Sequence, residues 1–202
     1  MRPRRIYIIG PSSTGKTTLC KALSQRLSLP PSAHITEVAR HVIKSHGWTR
    51  KDIGLVEMQQ AILDAHVARE MEMDEDQEVP SVLLSDRSAV DPIVYAVFTA
   101  AAGGEKDSSS ESKLRKEKLV NSPAFQSVLP VYRDTEVTEV YLLEPVEEWL
   151  EDDGFRHVGD EKECLRIYRE VLEELGIEYR VIGRDMMDLE ERVMFVLNSK
   201  AA

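Results

Sequence analysis

Apolar residues in this chain fall into short unbroken runs and helically spaced stripes, and the two alternate. Residues 6–9, all apolar and closed by Gly10, predict a buried strand. Leu19, Leu23 and Leu27 then recur every four residues, with Ala22 beside them, as on one face of a helix. The two prolines of "LSLPPSA" stop it. "HITEVAR" predicts a second, short strand ending near Glu37, and the stretch from Thr49 to Met73 a long helix, with Ile53, Val56, Leu63, Val67 and Met71 near helical spacing. "SVLLSD" predicts a third strand that turns abruptly charged at Asp86, and 87–102 the helix after it. "GGEKDSSSES", residues 103–112, predicts a mobile insertion. "KLRKEKL" begins another helix, and "EVTEVYLL" predicts a fourth strand. Cys164, Leu165, Tyr168, Val171, Leu172 and Leu175 trace an amphipathic stripe closed by Gly176. "EYRVIG" predicts a fifth strand and 189–198 a last helix. Such alternation implies a parallel sheet with helices on both faces.

The first loop carries the chemistry. "GPSSTGKTT", residues 10–18, fits G-x-x-x-x-G-K-[ST] between a strand and a helix. Gly10 and Gly15 permit backbone angles and close approaches that a Cβ would forbid. Backbone N–H groups of Ser12, Ser13, Thr14, Gly15, Lys16, Thr17 and Thr18 can then face phosphate oxygens at the positive end of the next helix. The Lys16 ammonium would reach the terminal phosphates, and the Thr17 hydroxyl would ligate Mg²⁺. Asp86, at the end of the third strand, stands where a second acid for the metal belongs, although it could equally cap the next helix.

Composition narrows the remaining options. The 202 residues suit a single domain, with the mobile segment about 103–112 and a lid about 150–160. A net charge of −10 argues against a nucleic-acid partner, which needs a basic footprint. Only Cys20 and Cys164 are present, far apart and without metal spacing, which fits a cytoplasmic setting. No apolar run reaches the roughly 18 residues of a membrane span.

A held phosphate can be moved, hydrolysed or used as a signal. An N-K-x-D element, which guanine-nucleotide switches carry, is lacking. Transfer needs a carboxylate at the acceptor hydroxyl, cations on the moving phosphoryl, and a lid against water. Glu37 beside Arg40, Asp86-Arg87 with Asp91 one turn on, and Arg156 in "DDGFRHVGD" are candidates for these roles. Each has a plainer reading, as a surface pair, a cap or a solvated side chain. The five histidines show no ligand spacing, and Trp48 and Trp149 suit packing.

Taken together, "GPSSTGKTTL", "EVAR", "LLSDR…DP…VY", "YLLEP…W..DDGFR" and "YRVIG" resemble the ribosylnicotinamide-kinase domain of NadR-type proteins, the AAA_28 group of P-loop kinases. The resemblance spans nearly the whole chain apart from the serine-rich segment. It implies the three-layer P-loop NTPase fold with five parallel strands, ATP and Mg²⁺, and γ-phosphoryl transfer to a hydroxyl of a nucleoside-like or nucleotide-like molecule. Carried onto this sequence, Lys16 and Thr17 serve phosphate and metal. Glu37, Arg40, Arg87 and Asp91 line the acceptor site, and Arg156 comes from the lid. Glu37 and Asp86 both remain candidates for the base, with Glu37 favoured and Asp86 assigned to Mg²⁺. A nucleotide-binding regulatory module for ATP or GTP and a polynucleotide 5′-kinase are the alternatives. Oligomeric state is not legible.

Overall fold

A computed structural model describes residues 2–75, 81–102, 108–149 and 161–199. Its centre is a sheet of five parallel strands, β1 (Arg4–Ile9), β2 (His34–Ile35), β3 (Val82–Asp86), β4 (Thr138–Leu143) and β5 (Arg180–Ile182), in the order β2-β3-β1-β4-β5. Parallel strands need crossovers, and helices supply them: α1 (Lys16–Arg26), α2 (Val38–Ser45), α3 (Val56–Glu75), α4 (Val90–Ala102), α5 (Ser108–Val120), α6 (Pro123–Arg133), α7 (Glu161–Glu174) and α8 (Leu189–Asn198).

Strand alternation explains why helices cover both faces. Tyr7 and Ile9 of β1 and Val140 and Leu142 of β4 point to one side, into a core shared with α3, α4, α6 and α7. Ile6, Ile8, Tyr141 and Leu143 point to the other, where Leu19, Leu23, Val193 and Val196 of α1 and α8 cover them. The near-continuous apolar runs in the sequence are what strands buried on both faces require. Phosphate loop, Asp86 and Glu37 all lie at or just past C-terminal strand ends, the edge where open α/β sheets place their ligands.

Four local expectations change. Strand β2 ends at Ile35, because Glu37 takes a left-handed backbone (φ 59°) and starts α2 at Val38. "EVAR" is therefore a helix start, with Val42 packed on Met58 and Ile62 of α3. The long helix starts at Val56 and not Thr49. Asp52 accepts hydrogen bonds from the Thr49 N–H (2.8 Å) and hydroxyl (2.9 Å), which holds a separate short turn there. Met71 is exposed, whereas Met58 and Met73 are buried. Residues 108–112 belong to α5, so the serine run enters a helix, while 103–107 lie outside the described residues. Helix α6 is an addition. Ser122 caps it, Pro123 occupies its first turn, and Phe125, Val128, Leu129 and Tyr132 form its buried stripe. Pro130 within that stripe masks the helical signal in the sequence.

Candidate active site

The phosphate loop is held open by its backbone. Gly10 lies at φ 139°, and a Cβ there would stand 2.6 Å from the Leu143 carbonyl oxygen of β4. Ser13 (φ 56°) and Gly15 (φ 85°) complete the curl. No side chain caps α1 and no acid stands in its first turn, so its N-terminal N–H groups and positive dipole end face the loop. Lys16 is buried, and its ammonium folds back onto the Pro11 carbonyl and the Thr14 hydroxyl (3.2 Å). Ser12 and Thr14 are buried with it.

The third strand meets this loop as its register dictates, with Ile8 beside Asp86. The Thr17 hydroxyl donates to Asp86 Oδ2 at 2.6 Å. This contact joins the start of α1 to the end of β3. Both are hard oxygen donors of the kind Mg²⁺ takes, and they converge at the phosphate end of the loop. Among the described residues no group of three or more His, Cys, Asp or Glu could hold a metal, so an ion here would take phosphate and water as its remaining ligands.

Arg87 and Asp91 form the next layer. Arg87 is left-handed (φ 83°), and its N–H donates to the Ile8 carbonyl (3.0 Å). Its guanidinium donates to Asp91 Oδ1 (2.9 Å) and lies 5.6 Å from the Tyr95 ring centroid. Burial works against its charge, but Tyr95, Asp91, Tyr168 and Asp86 outweigh burial and hold its pKa well above the ordinary arginine value. Asp91 also accepts from the Tyr168 hydroxyl (2.8 Å), the Ser88 N–H (2.8 Å) and the Ser88 hydroxyl (3.0 Å). The Asp91 carboxylate is thus fully engaged, and its role here is to fix Arg87. Tyr95 carries the arrangement back to the phosphate loop through a hydroxyl contact with Ser12 (3.0 Å).

Glu37 and Arg40 behave differently. They pair with each other at 2.9 Å, three residues apart on one helix start, with side chains 34% and 56% exposed. They stand on the rim of the strand-end edge beside β3, since His34 registers with Leu84 and Ile35 with Ser85. Arg156 and the expected lid at 150–160 lie outside the described residues.

Three side chains enter the picture: His66 and Trp149, which the sequence suggested only as structural, and Arg192, which it did not single out. His66 of α3 is buried beside the charges of Asp91, Arg87 and Asp86, its Nδ1 has no hydrogen-bond partner, and burial pushes its pKa down to about 4. Arg192 of α8 reaches the phosphate loop, where its Nη1 donates to the Thr14 carbonyl (3.0 Å). Trp149 stacks on that guanidinium, 4.5 Å from ring centroid to Cζ. No spacing in the sequence links residues 14, 149 and 192, so only the fold could bring them together.

Comparison with known proteins agrees with this geometry. The AAA_28 family model, described as an AAA domain, matches residues 5–192. Among solved structures, a deoxyadenosine kinase from M.mycoides with dCMP and dCDP bound is 15% identical with a TM-score of 0.57, over 96% of this chain and 97% of its own. A NadR protein in complex with NR is 16% identical with a TM-score of 0.63; it is matched over 99% of this chain, which spans only 51% of the NadR chain. A shikimate kinase from Acinetobacter baumannii in complex with shikimate is 15% identical with a TM-score of 0.50, over 99% of this chain and 96% of its own. At these identities the likeness establishes a fold shared with P-loop kinases. No curated protein matches the sequence. No described helix is long and apolar enough to cross a membrane.

Proposed function

The chain belongs to the AAA_28 family, and on that premise we propose that it is an ATP- and Mg²⁺-dependent phosphotransferase, moving the γ-phosphoryl to a hydroxyl of a small nucleoside-like or nucleotide-like acceptor. Nicotinamide riboside falls within that acceptor class. The observation that carries this reading is the 2.6 Å contact between Thr17 and Asp86 at the open end of the phosphate loop. A phosphate cradle alone binds. A hydroxyl and a carboxylate converging at its terminal end are what a phosphate-bound Mg²⁺ needs.

In this reading the loop N–H groups and Lys16 hold the triphosphate and offset charge on the transferring group. Thr17 and Asp86 would hold Mg²⁺, which supplies further charge neutralisation and orientation of the phosphates when bound. Glu37 would accept the proton of the acceptor hydroxyl, Arg40 and Arg87 would orient the acceptor, and Asp91, expected from the sequence to line that site, would act through Arg87. Arg156 would close over the site from the 150–160 segment. Two buried free cysteines suit a reducing compartment such as the cytoplasm.

The test is a screen of purified protein with ATP, Mg²⁺ and a panel of nucleosides, nucleotides and sugars, read by mass spectrometry of products. A phosphorylated acceptor, lost in Asp86→Ala while the fold persists, is the expected result. No phosphorylated acceptor across the panel would sink the reading. One observation favours a second: the Glu37 carboxylate is taken up by Arg40, as in a module that binds nucleotide without transferring it. Calorimetry separates the two, since tight GTP binding without ATP binding belongs to such a regulator. A polynucleotide 5′-kinase is disfavoured by the net charge of −10, and a gel-shift titration with short RNA addresses it directly.

A further inference from the structure

Arg192 is the largest fully buried side chain among the described residues, at 1% exposure. Two of its three nitrogens are spoken for. Nε donates to the Met186 carbonyl (2.6 Å) and Nη1 to the Thr14 carbonyl (3.0 Å). Both acceptors are neutral. The third nitrogen, Nη2, is buried with no hydrogen-bond partner. No carboxylate among the described residues offsets the charge, and burial alone depresses the arginine pKa. Arg87 is the contrast, since it has Asp91.

A buried cation without a counter-charge is a costly arrangement, and an unsatisfied buried donor calls for a physical account. Location supplies one. Nη1 lies 3.3 Å, and the Trp149 ring 3.2 Å, from where a Cβ on Gly15 would stand. Gly15 is the loop residue that heads α1. The guanidinium is therefore wedged against the phosphate loop, its plane fixed by Trp149. The missing partner should be an anion that arrives at this loop.

We propose that Arg192 is a phosphate-binding residue: its Nη2 donates to a non-bridging oxygen of the bound polyphosphate, while Nη1 holds the Thr14 carbonyl. The C-terminal helix thereby supplies a second cation to the site that Lys16 serves from the loop. A guanidinium suits this double duty, because its fork can hold a carbonyl and a phosphate at once. That no described carboxylate meets this charge is the reason to assign phosphate and not the base. This inference rests on the reading of the loop as a nucleotide site.

The experiment titrates Mg²⁺–ATP and Mg²⁺–tripolyphosphate into the full chain, its Arg192→Gln and Arg192→Lys variants, by calorimetry, with thermal unfolding of each ligand-free protein. Arg192→Gln is expected to weaken both ligands about 10- to 100-fold, the loss of one charged hydrogen bond. Arg192→Lys keeps the charge but not the fork, and should weaken both about 10-fold with near-normal unfolding of the free protein. If Arg192→Gln does not fold, the lysine variant decides. Lowered thermal stability with unchanged affinities would make Arg192 a structural tether only and overturn the proposal. A loss confined to ATP, with tripolyphosphate unaffected, would make it a base contact and overturn it too. Wild-type protein that binds neither ligand would remove the nucleotide reading itself. Wild-type binding with unaltered variants removes only this inference.

Discussion

The two halves of the candidate site are built in opposite ways. The donor half is tied together from distant parts of the chain. Gly10 closes on Leu143, Thr17 on Asp86, Ser12 on Tyr95 and Thr14 on Arg192. Its side chains are largely buried. The proposed acceptor rim at Glu37 and Arg40 is a local, half-exposed ion pair at one helix start. The difference teaches that the two proposed tasks call for different construction. Holding a triphosphate is a fixed task that a pre-organised backbone performs. Choosing an acceptor depends on exposed side chains that move when something binds.

That contrast can be attacked at several points. Lys16→Met removes the loop's cation and should lower phosphoryl transfer about 10³-fold in kcat/KM with little change in fold, checked by steady-state kinetics beside circular dichroism. Gly10→Ala strikes the scaffold instead. A positive backbone angle (φ 139°) and a 2.6 Å approach to a carbonyl oxygen should cost about 3 kcal/mol in urea unfolding. An unchanged midpoint would mean the loop is less constrained than its geometry implies.

His66, buried beside the charges of Asp91, Arg87 and Asp86, gives a pH test. Its pKa is held down to about 4 by burial, against 6.5 for the free side chain, so the unfolded chain binds the extra proton. Its contribution is fully present above pH 6.5 and is lost as pH falls toward 4, by about 3 kcal/mol in all. His66→Gln should flatten that part of the stability–pH curve. A curve with the wild-type slope would show that other groups carry it.

Glu37→Gln probes the acceptor half. If Glu37 is the base, kcat falls about 10²-fold while calorimetric ATP affinity stays within error. Equal loss of ATP affinity would place it in the donor half. Arg40→Ala should be the mildest change, below about 1 kcal/mol in stability, because the pair is half-exposed and local.

Much of the fold was legible because its signals are local. The runs at β1, β3 and β4 carry into the structure, as do the stripes of α1 and α7 except at their ends, where Leu27 is half-buried just past α1 and Leu175 is buried just past α7. Helix α6 was hidden by Pro130, and the helical start in "EVAR" by Glu37, whose left-handed backbone ends the strand without a glycine to announce it. The phosphate loop and Asp86 were legible for a related reason. One follows a strand and the other ends one, and parallel register puts Ile8 beside Asp86.

The sequence by itself determined the alternating architecture, the phosphate loop with Lys16 and Thr17, and the acid at the end of the third strand. Periodicity and a fixed motif encode these within a few residues of each other. Only the tertiary structure decided that Asp91 spends its carboxylate on Arg87, that His66 is buried beside them, and that Arg192 and Trp149 close on Gly15. Those contacts join residues dozens to more than a hundred positions apart, or turn on how a carboxylate's oxygens are shared. No pattern along the chain carries that information, because it is the packing of helices on both faces of the sheet that brings such groups within hydrogen-bonding distance.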